Sequence, residues 1–408
     1  MTTPDSDAGL LWAASGAMAL TGRADGPPLM SPGRPAAWIN DQIRAVTDLA
    51  VRRTGHAPRL PDAHLLGERS AIAGFSRRAP WSCGGSFRAV RTDDGWLGLS
   101  LARPDDLASI PALVRRTGAP CSWETVEAWA STLTTREALE HARLLGLAAA
   151  GWPASTVARD AVVMTAGGSQ AQAERPLVVD FTSLWAGPLC AHLLALTGCT
   201  VVKVESSRRP DGARNGPAHF FDLLHGGHDS VVVDFGSPDD VGRLRDLVGR
   251  AALVLESSRS RALRQIGIDA EEVVADGTCW LSITAHGRAS PQVGFGDDVA
   301  MGAGLAIPDG GDLLPVGDAI ADVLTGVAAA AAASAALLAP RASLIDVSMD
   351  AVVRAVDPTA ERGDRVVERQ GEWWVETEAG AAPVARPQAR RPVEEAATLG
   401  RDTARWLR

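Results

Sequence analysis

Residues 177–205 read LVVDFTSLWAGPLCAHLLALTGCTVVKVE. Leu177, Val178 and Val179 form the short continuous apolar run of a strand buried on both faces. Ala186-Gly187-Pro188 turns the chain, with Pro188 placed in the first turn of a helix, where its missing N–H costs nothing. Leu189, Leu193, Leu194 and Leu196 follow at helical spacing, and Gly198 ends the helix. Thr200, Val201 and Val202 open a second strand that delivers Lys203 and Glu205 at its carboxyl end. This is a βαβ unit, and in open α/β sheets ligands bind at that end of the strands.

The wording of the unit is distinctive. The pattern from Asp180 through Ala186, Gly187 and Pro188 to Gly198, Val201, Lys203, Val204 and Glu205 resembles the opening of the class III CoA-transferases, the CaiB/BaiF family. Further segments follow in the family's order: 230–235 (SVVVDF), 252–256 (ALVLE), 281–287 (LSITAHG), Val316-Gly317-Asp318 and 344–349 (LIDVSM). The resemblance spans roughly 175–353. It implies an α/β fold with a doubly wound, Rossmann-like large domain and a smaller α+β domain.

Composition sets bounds on this reading. A chain of 408 residues has room for about two domains, each with its own core. A net charge of −9 with no basic run argues against a nucleic-acid partner. Five scattered cysteines, Cys83, Cys121, Cys190, Cys199 and Cys279, show no metal spacing and suit a reducing compartment. The N-terminus has Asp5 and Asp7 and no basic stretch, unlike a signal peptide, so a cytoplasmic protein is expected. The alanine-rich, uncharged run 323–339 is shorter than the ~20 residues of a membrane span and predicts a buried helix.

The order of segments departs from the family's. About 174 residues precede the βαβ unit. Residues 12–22 (WAASGAMALTG) and the following Asp25-Gly26-Pro27-Pro28 resemble the stretch after the family's catalytic Asp, and 300–308 (AMGAGLAIP) echoes it. Residues 87–101 (FRAVRTDDGWLGLSL) predict a hairpin turning at Asp93-Asp94-Gly95. The expected organisation is a helical segment over 1–79 packing on the large domain, a smaller α+β domain over 80–154 and a linker over 155–174. The Rossmann-like domain follows over 175–355, then a C-terminal hairpin and closing helix over 356–408. A circular permutation and a truncated tandem duplication both give this order.

The resemblance implies chemistry through an aspartate. Class III enzymes attack an acyl-CoA thioester with a carboxylate and pass through an aspartyl-CoA thioester, with CoA and acyl-CoA as substrates and no permanently bound cofactor. Oriented, partly desolvated carboxylates suit this role. The family's nucleophile falls on Asp298, in Gly294-Phe295-Gly296-Asp297-Asp298, and Asp297 is the second candidate. One of these adjacent carboxylates is expected to face solvent, since two buried neighbours raise each other's pKa. Without the resemblance, the pair would cap a helix starting at Val299. His286 together with Asp298 suggests proton shuttling, as in the family's acyl-CoA racemases and isomerases; a packed or solvated loop histidine is the plain alternative.

Candidate CoA contacts are Lys203, Glu205, Arg208, Arg214, Arg259 and Arg261, with Ala186 and Gly187 at the turn. Arginine forks suit phosphate oxygens. Lys203 is the sole lysine, placed either to meet a phosphate or to form a structural ion pair. The family's basic run before SVVVDF is replaced by His225-Gly226-Gly227-His228-Asp229, which supplies no fixed positive charge at neutral pH. No Gly-x-Gly-x-x-Gly, Gly-x-Ser-x-Gly, His-Glu-x-x-His or metal-ligand spacing occurs. The expectations are a CoA-transferase moving CoA from an acyl-CoA to a small carboxylic acid, an acyl-CoA racemase, or a non-catalytic partner subunit of an intact family member. Family members are dimers, so a homodimer or a heterodimer with a relative is implied.

Overall fold

Alternating and continuous apolar runs divide the chain between two kinds of sheet. The computed structural model describes residues 7–153, 159–257, 261–359 and 363–408, the Arg261 side chain excepted. Phe87–Arg91 (β1), Trp96–Ser100 (β2) and Ala148–Trp152 (β3) form an antiparallel sheet in the order β1-β2-β3. One face packs Val90, Leu97 and Leu99 against the helices Trp123–Ala130 and Thr135–Leu144. The other face lays Phe87, Ala89 and Ala150 on Met301, Ala306 and Leu313. A two-sided core of this kind follows from period-two alternation along each strand.

The large sheet has seven strands. They are Val162–Ser169 (β4), Leu177–Asp180 (β5), Thr200–Ser206 (β6), Asp229–Val233 (β7), Leu253–Glu256 (β8), Cys279–Thr284 (β9) and Arg341–Ser348, which is β12 because the hairpin of Ala306–Asp309 (β10) and Asp312–Pro315 (β11) intervenes. Their order is β4-β12-β9-β8-β5-β6-β7. All pairings are parallel except that of β4 with β12. Counted from β5, the six parallel strands stand in the 3-2-1-4-5-6 order of the doubly wound dinucleotide folds, with the order reversing between β5 and β8. Val178, Val179, Val202, Leu253, Val254, Leu255, Leu281, Ile345 and Val347 are sealed from solvent, as a sheet covered on both faces requires.

The Ala186–Leu196 helix makes the first crossover and packs on the Ile320–Ala336 helix, whose alanines permit close approach. Gly326 lies at that contact: a Cβ there would stand 2.7 Å from the Ala186 carbonyl oxygen. The N-terminal helices Ala8–Ala14 and Pro35–Thr54 contribute Trp12, Trp38 and Ile39 to the same core as the large sheet. Among the described residues no helix is long and apolar enough to cross a membrane.

Three local expectations are corrected. The segment 155–174, read as a linker, contains β4, an edge strand. Its residues 163–166 are exposed on both faces, so no hydrophobic alternation announces it. The C-terminal hairpin is a three-stranded meander of Arg365–Arg369 (β13), Glu372–Thr377 (β14) and Gly380–Pro383 (β15). The closing helix is a single turn, Thr403–Trp406.

Candidate functional site

A cavity of about 860 Å³ opens at the carboxyl ends of β5, β6, β7 and β8, where the strand order reverses. Each strand leads into its wall: Phe181 and Thr182 follow β5, Ser206 ends β6, Phe235 follows β7, and Leu263 lies beyond β8. The small domain adds Arg103 just after β2, and Phe295 closes the side nearest the Gly296–Gly302 helix. The Arg103 guanidinium stands 5.6 Å from the centre of the Phe295 ring and is held by Asp106.

Two buried ion pairs build the wall between β5 and β6. Lys203 Nζ lies 2.9 Å from Asp211 Oδ2 and donates to the Thr182 carbonyl at 2.8 Å. Asp211 in turn accepts from the backbone N–H groups of Leu184 (3.0 Å) and Ala213 (2.9 Å). Leu184 has φ 71°, a strained conformation for a side chain with a Cβ, and the bond from Asp211 holds it there. Glu205 takes a two-pronged contact from Arg214 at 2.8 and 2.6 Å and accepts from the Asp211 N–H at 3.0 Å. Arg214 also stacks 4.4 Å from the Phe221 ring centre.

Lys203, Glu205 and Arg214 thus spend their charge on one another's loops. Arg208 and Arg209 are exposed at the rim; Arg208 makes only a 3.5 Å contact with Asp234. Ala186 and Gly187 are buried in the turn and do not line the cavity. Gly187 permits the turn, since a Cβ there would lie 2.1 Å from that of Thr182. Arg259 and the Arg261 side chain lie outside the described residues. Arg103 escaped sequence reasoning because it reaches the cavity from another domain, and the pairing of Arg214 with Glu205 escaped it because they are nine residues apart in an irregular loop.

His225 and His228 are buried, and burial drives both imidazoles towards the neutral form, His228 to about 3. They therefore add no positive charge to the site.

The two adjacent aspartates diverge. The helix begins at Gly296, three residues before the expected start, so Asp297 and Asp298 lie within its first turn and point in different directions. Asp297 is half-buried. Asp298 is completely buried. Its Oδ1 accepts from Ser100 Oγ at 2.7 Å and from the Phe295 N–H at 2.9 Å, while Oδ2 has no hydrogen-bond partner. Burial raises its pKa to about 7 against those two stabilising bonds. Asp297 Oδ1 accepts from the Ala319 N–H at 2.9 Å and faces Asp318, Asp322 and Arg69. Burial and Asp318 raise Asp297 to about 6, and burial raises Asp322 to about 7. Arg69 answers this acidic group, gripping Asp318 through two nitrogens while lying 4.5 Å from the Trp185 ring centre.

Asp298 does not line the cavity; its bonding partner Phe295 does. His286 lines a separate cleft beside Asp350 and Arg354, and no hydrogen bond joins it to Asp298 among the described residues.

An open, doubly wound sheet with a cavity at its switch point defines an α/β protein of the class whose ligands bind outside the carboxyl ends of the strands. Residues 176–372, just under half of the chain, match the profile of CoA-transferase family III, the class III or CaiB/BaiF group. Succinate–glutarate CoA-transferase of Agrobacterium fabrum is 29% identical over 183 residues, covering 40% of this chain and 46% of that protein. Succinyl-CoA–D-citramalate CoA-transferase of Chloroflexus aurantiacus is 31% identical over 182 residues, 40% of this chain and 45% of that protein. A CaiB/BaiF family protein of known structure from Brucella suis superposes with a TM-score of 0.44 at 21% identity, over 52% of this chain and 66% of its own. The chain spans about half the length of the curated relatives it matches.

Proposed function

We propose that the switch-point cavity receives CoA thioesters and that Asp298 is the carboxylate through which CoA passes from an acyl-CoA to a carboxylic acid. The observation that supports this best is the state of Asp298. One oxygen is fixed by two donors, the other is unpartnered, and water is excluded. An oriented and desolvated carboxylate is the form of this weak nucleophile that can attack a thioester. In the reaction Oδ2 bonds to the thioester carbon, the C–S bond breaks and CoA leaves as thiolate. The thiolate then attacks the aspartyl carbonyl of the mixed anhydride, releasing the first acid and leaving an aspartyl-CoA thioester. The acceptor carboxylate repeats the two steps in reverse and regenerates Asp298.

The reading requires Phe295 to turn aside, because its ring stands at the cavity while Asp298 is closed off behind its backbone. Arg208 and Arg209 at the rim are the cations with least commitment to local carboxylates, and suit the phosphates of CoA. A second reading, a non-catalytic relative, is favoured by the same burial: the bonds to Ser100 and Phe295 also suffice for a purely structural aspartate.

Incubation with succinyl-CoA or acetyl-CoA, a hydroxylamine or borohydride trap, and peptide mass spectrometry separate the two. The transferase reading expects a modified Asp298 that disappears in Asp298→Asn. CoA binding without any adduct, in the presence of an acceptor acid, would assign the chain to the non-catalytic class.

A further inference from the structure

A second cleft, of about 840 Å³, touches Gly302 at the end of the Gly296–Gly302 helix, and no residue lines both it and the switch-point cavity. Its walls come from the Thr135–Leu144 helix, the end of β3, the 286–292 loop after β9 and the Met349–Arg354 helix. The charges around it are unequal in their commitments. Arg354 holds Asp350 at 3.0 Å and donates to the Gly302 carbonyl at 3.1 Å, so this pair is neutral and fixed. Asp94 accepts from the Thr135 N–H at 2.7 Å and from its hydroxyl at 2.8 Å, which commits that carboxylate to the helix end. Arg136 has Glu140 at 3.9 Å.

Arg143 and Arg159 differ. Both line the cleft, and neither has a carboxylate in ion-pair range among the described residues; Arg159 reaches only the His286 carbonyl, at 3.4 Å. Arg143, Arg159 and Arg354 line the same cleft as His286, and Arg159 reaches the His286 backbone. Leu139 and Trp152 supply an apolar wall beside them. Two uncommitted guanidinium forks lining one cleft beside an apolar wall, in a volume typical of small-molecule sites, have the chemistry of a pocket for an organic anion.

We infer that this cleft binds a small oxyanion ligand, a carboxylate or phosphate gripped by Arg143 and Arg159 with its body against Trp152, independently of CoA. The site goes beyond the CoA-transfer reading and stands without it, since it shares no residue with the switch-point cavity.

Calorimetric titration of the full chain with succinate, and separately with inorganic phosphate, tests this in the absence of CoA. Saturable binding of either probe is expected, and which one binds identifies the ligand as carboxylate or phosphate. Arg143→Met and Arg159→Met, both at exposed positions, should each weaken it at least about tenfold with unchanged circular dichroism. Arg52→Ala, at an exposed position in the last turn of the Pro35–Thr54 helix and in neither cavity, should leave it intact. A folded wild-type chain that binds neither anion saturably would overturn the inference, as would binding that both Met variants retain in full. Loss of CoA binding or of adduct formation would strike only the reading of the first cavity.

Discussion

Lys203 and Asp211 form a 2.9 Å ion pair with side-chain exposures of 2% and 1%, directly beneath the loop that walls the switch-point cavity. The sole lysine is therefore not free to meet a phosphate. It neutralises the aspartate that anchors the Leu184 and Ala213 backbone, and its own ammonium ties down the Thr182 carbonyl. In a chain that otherwise uses arginine, the compact ammonium suits a site where one point charge is shared between a carboxylate and a carbonyl.

Removing one member of a buried pair strands the other. Lys203→Met is expected to cost about 3–5 kcal/mol in urea unfolding, because Asp211 would be left charged and buried. The double variant Lys203→Met/Asp211→Leu should recover part of that loss, while CoA affinity stays low because the Leu184 loop has lost its anchor. Equal destabilisation of single and double variants would mean that the pair contributes nothing beyond its packing.

Arg209 is exposed and makes no ion pair among the described residues. If CoA phosphates lie at this rim, Arg209→Ala should weaken CoA binding about three- to tenfold at low ionic strength, with little change in melting temperature. The difference should shrink as salt rises. Wild-type affinity in the variant would move the phosphates elsewhere in the cavity.

The βαβ unit and the parallel sheet were legible because strands buried on both faces are written as unbroken Val and Leu runs, and Val178, Val202 and Val254 sit in runs that follow this rule. The exposed β4 carries no such mark, and its Gly167-Gly168 pair suggests a linker until packing is seen: a Cβ at either glycine would meet the backbone of residues 274–275 within 2.3 Å. Adjacent Asp297 and Asp298 could be named as candidates but not told apart. Their directions depend on the helical phase, which the start at Gly296 sets. Arg103 and Ser100 reach the site from β2 and its exit, and only tertiary structure brings them across nearly half the chain to Phe295 and Asp298.

Gly294 marks how tightly Asp298 is enclosed. A Cβ there would lie 2.5 Å from Val299 Cγ2, 2.8 Å from Ala285 Cβ and 3.3 Å from Asp298 Oδ2. Gly294→Ala must displace the start of the helix, and a loss of about 1–3 kcal/mol is expected from overpacking. Adduct formation on Asp298 should fall further than stability alone explains, since the carboxylate shifts with the helix. A variant as stable as the wild type would show that this segment yields easily.

The raised pKa of Asp298 makes its own prediction about stability. Burial holds the folded-state value at about 7, against an ordinary 3.8. Between those values the folded chain retains a proton that the unfolded chain releases, so stability falls as pH rises from about 4 and the full penalty is present above about 7. Asp297 and Asp322, raised in the same direction, steepen the trend. Asp298→Asn preserves the acceptor for Ser100 and the Phe295 N–H and removes the charge, placing an amide where Oδ2 has no partner. The variant should therefore be more stable than the wild type at about pH 8.5, by up to roughly 4 kcal/mol for such a shift. The advantage should narrow as the pH falls and close near about pH 4. Urea midpoints of the two proteins across this range measure it directly. Parallel pH profiles would mean that Asp298 ionises normally in the folded chain, and that solvent or a counter-charge reaches Oδ2.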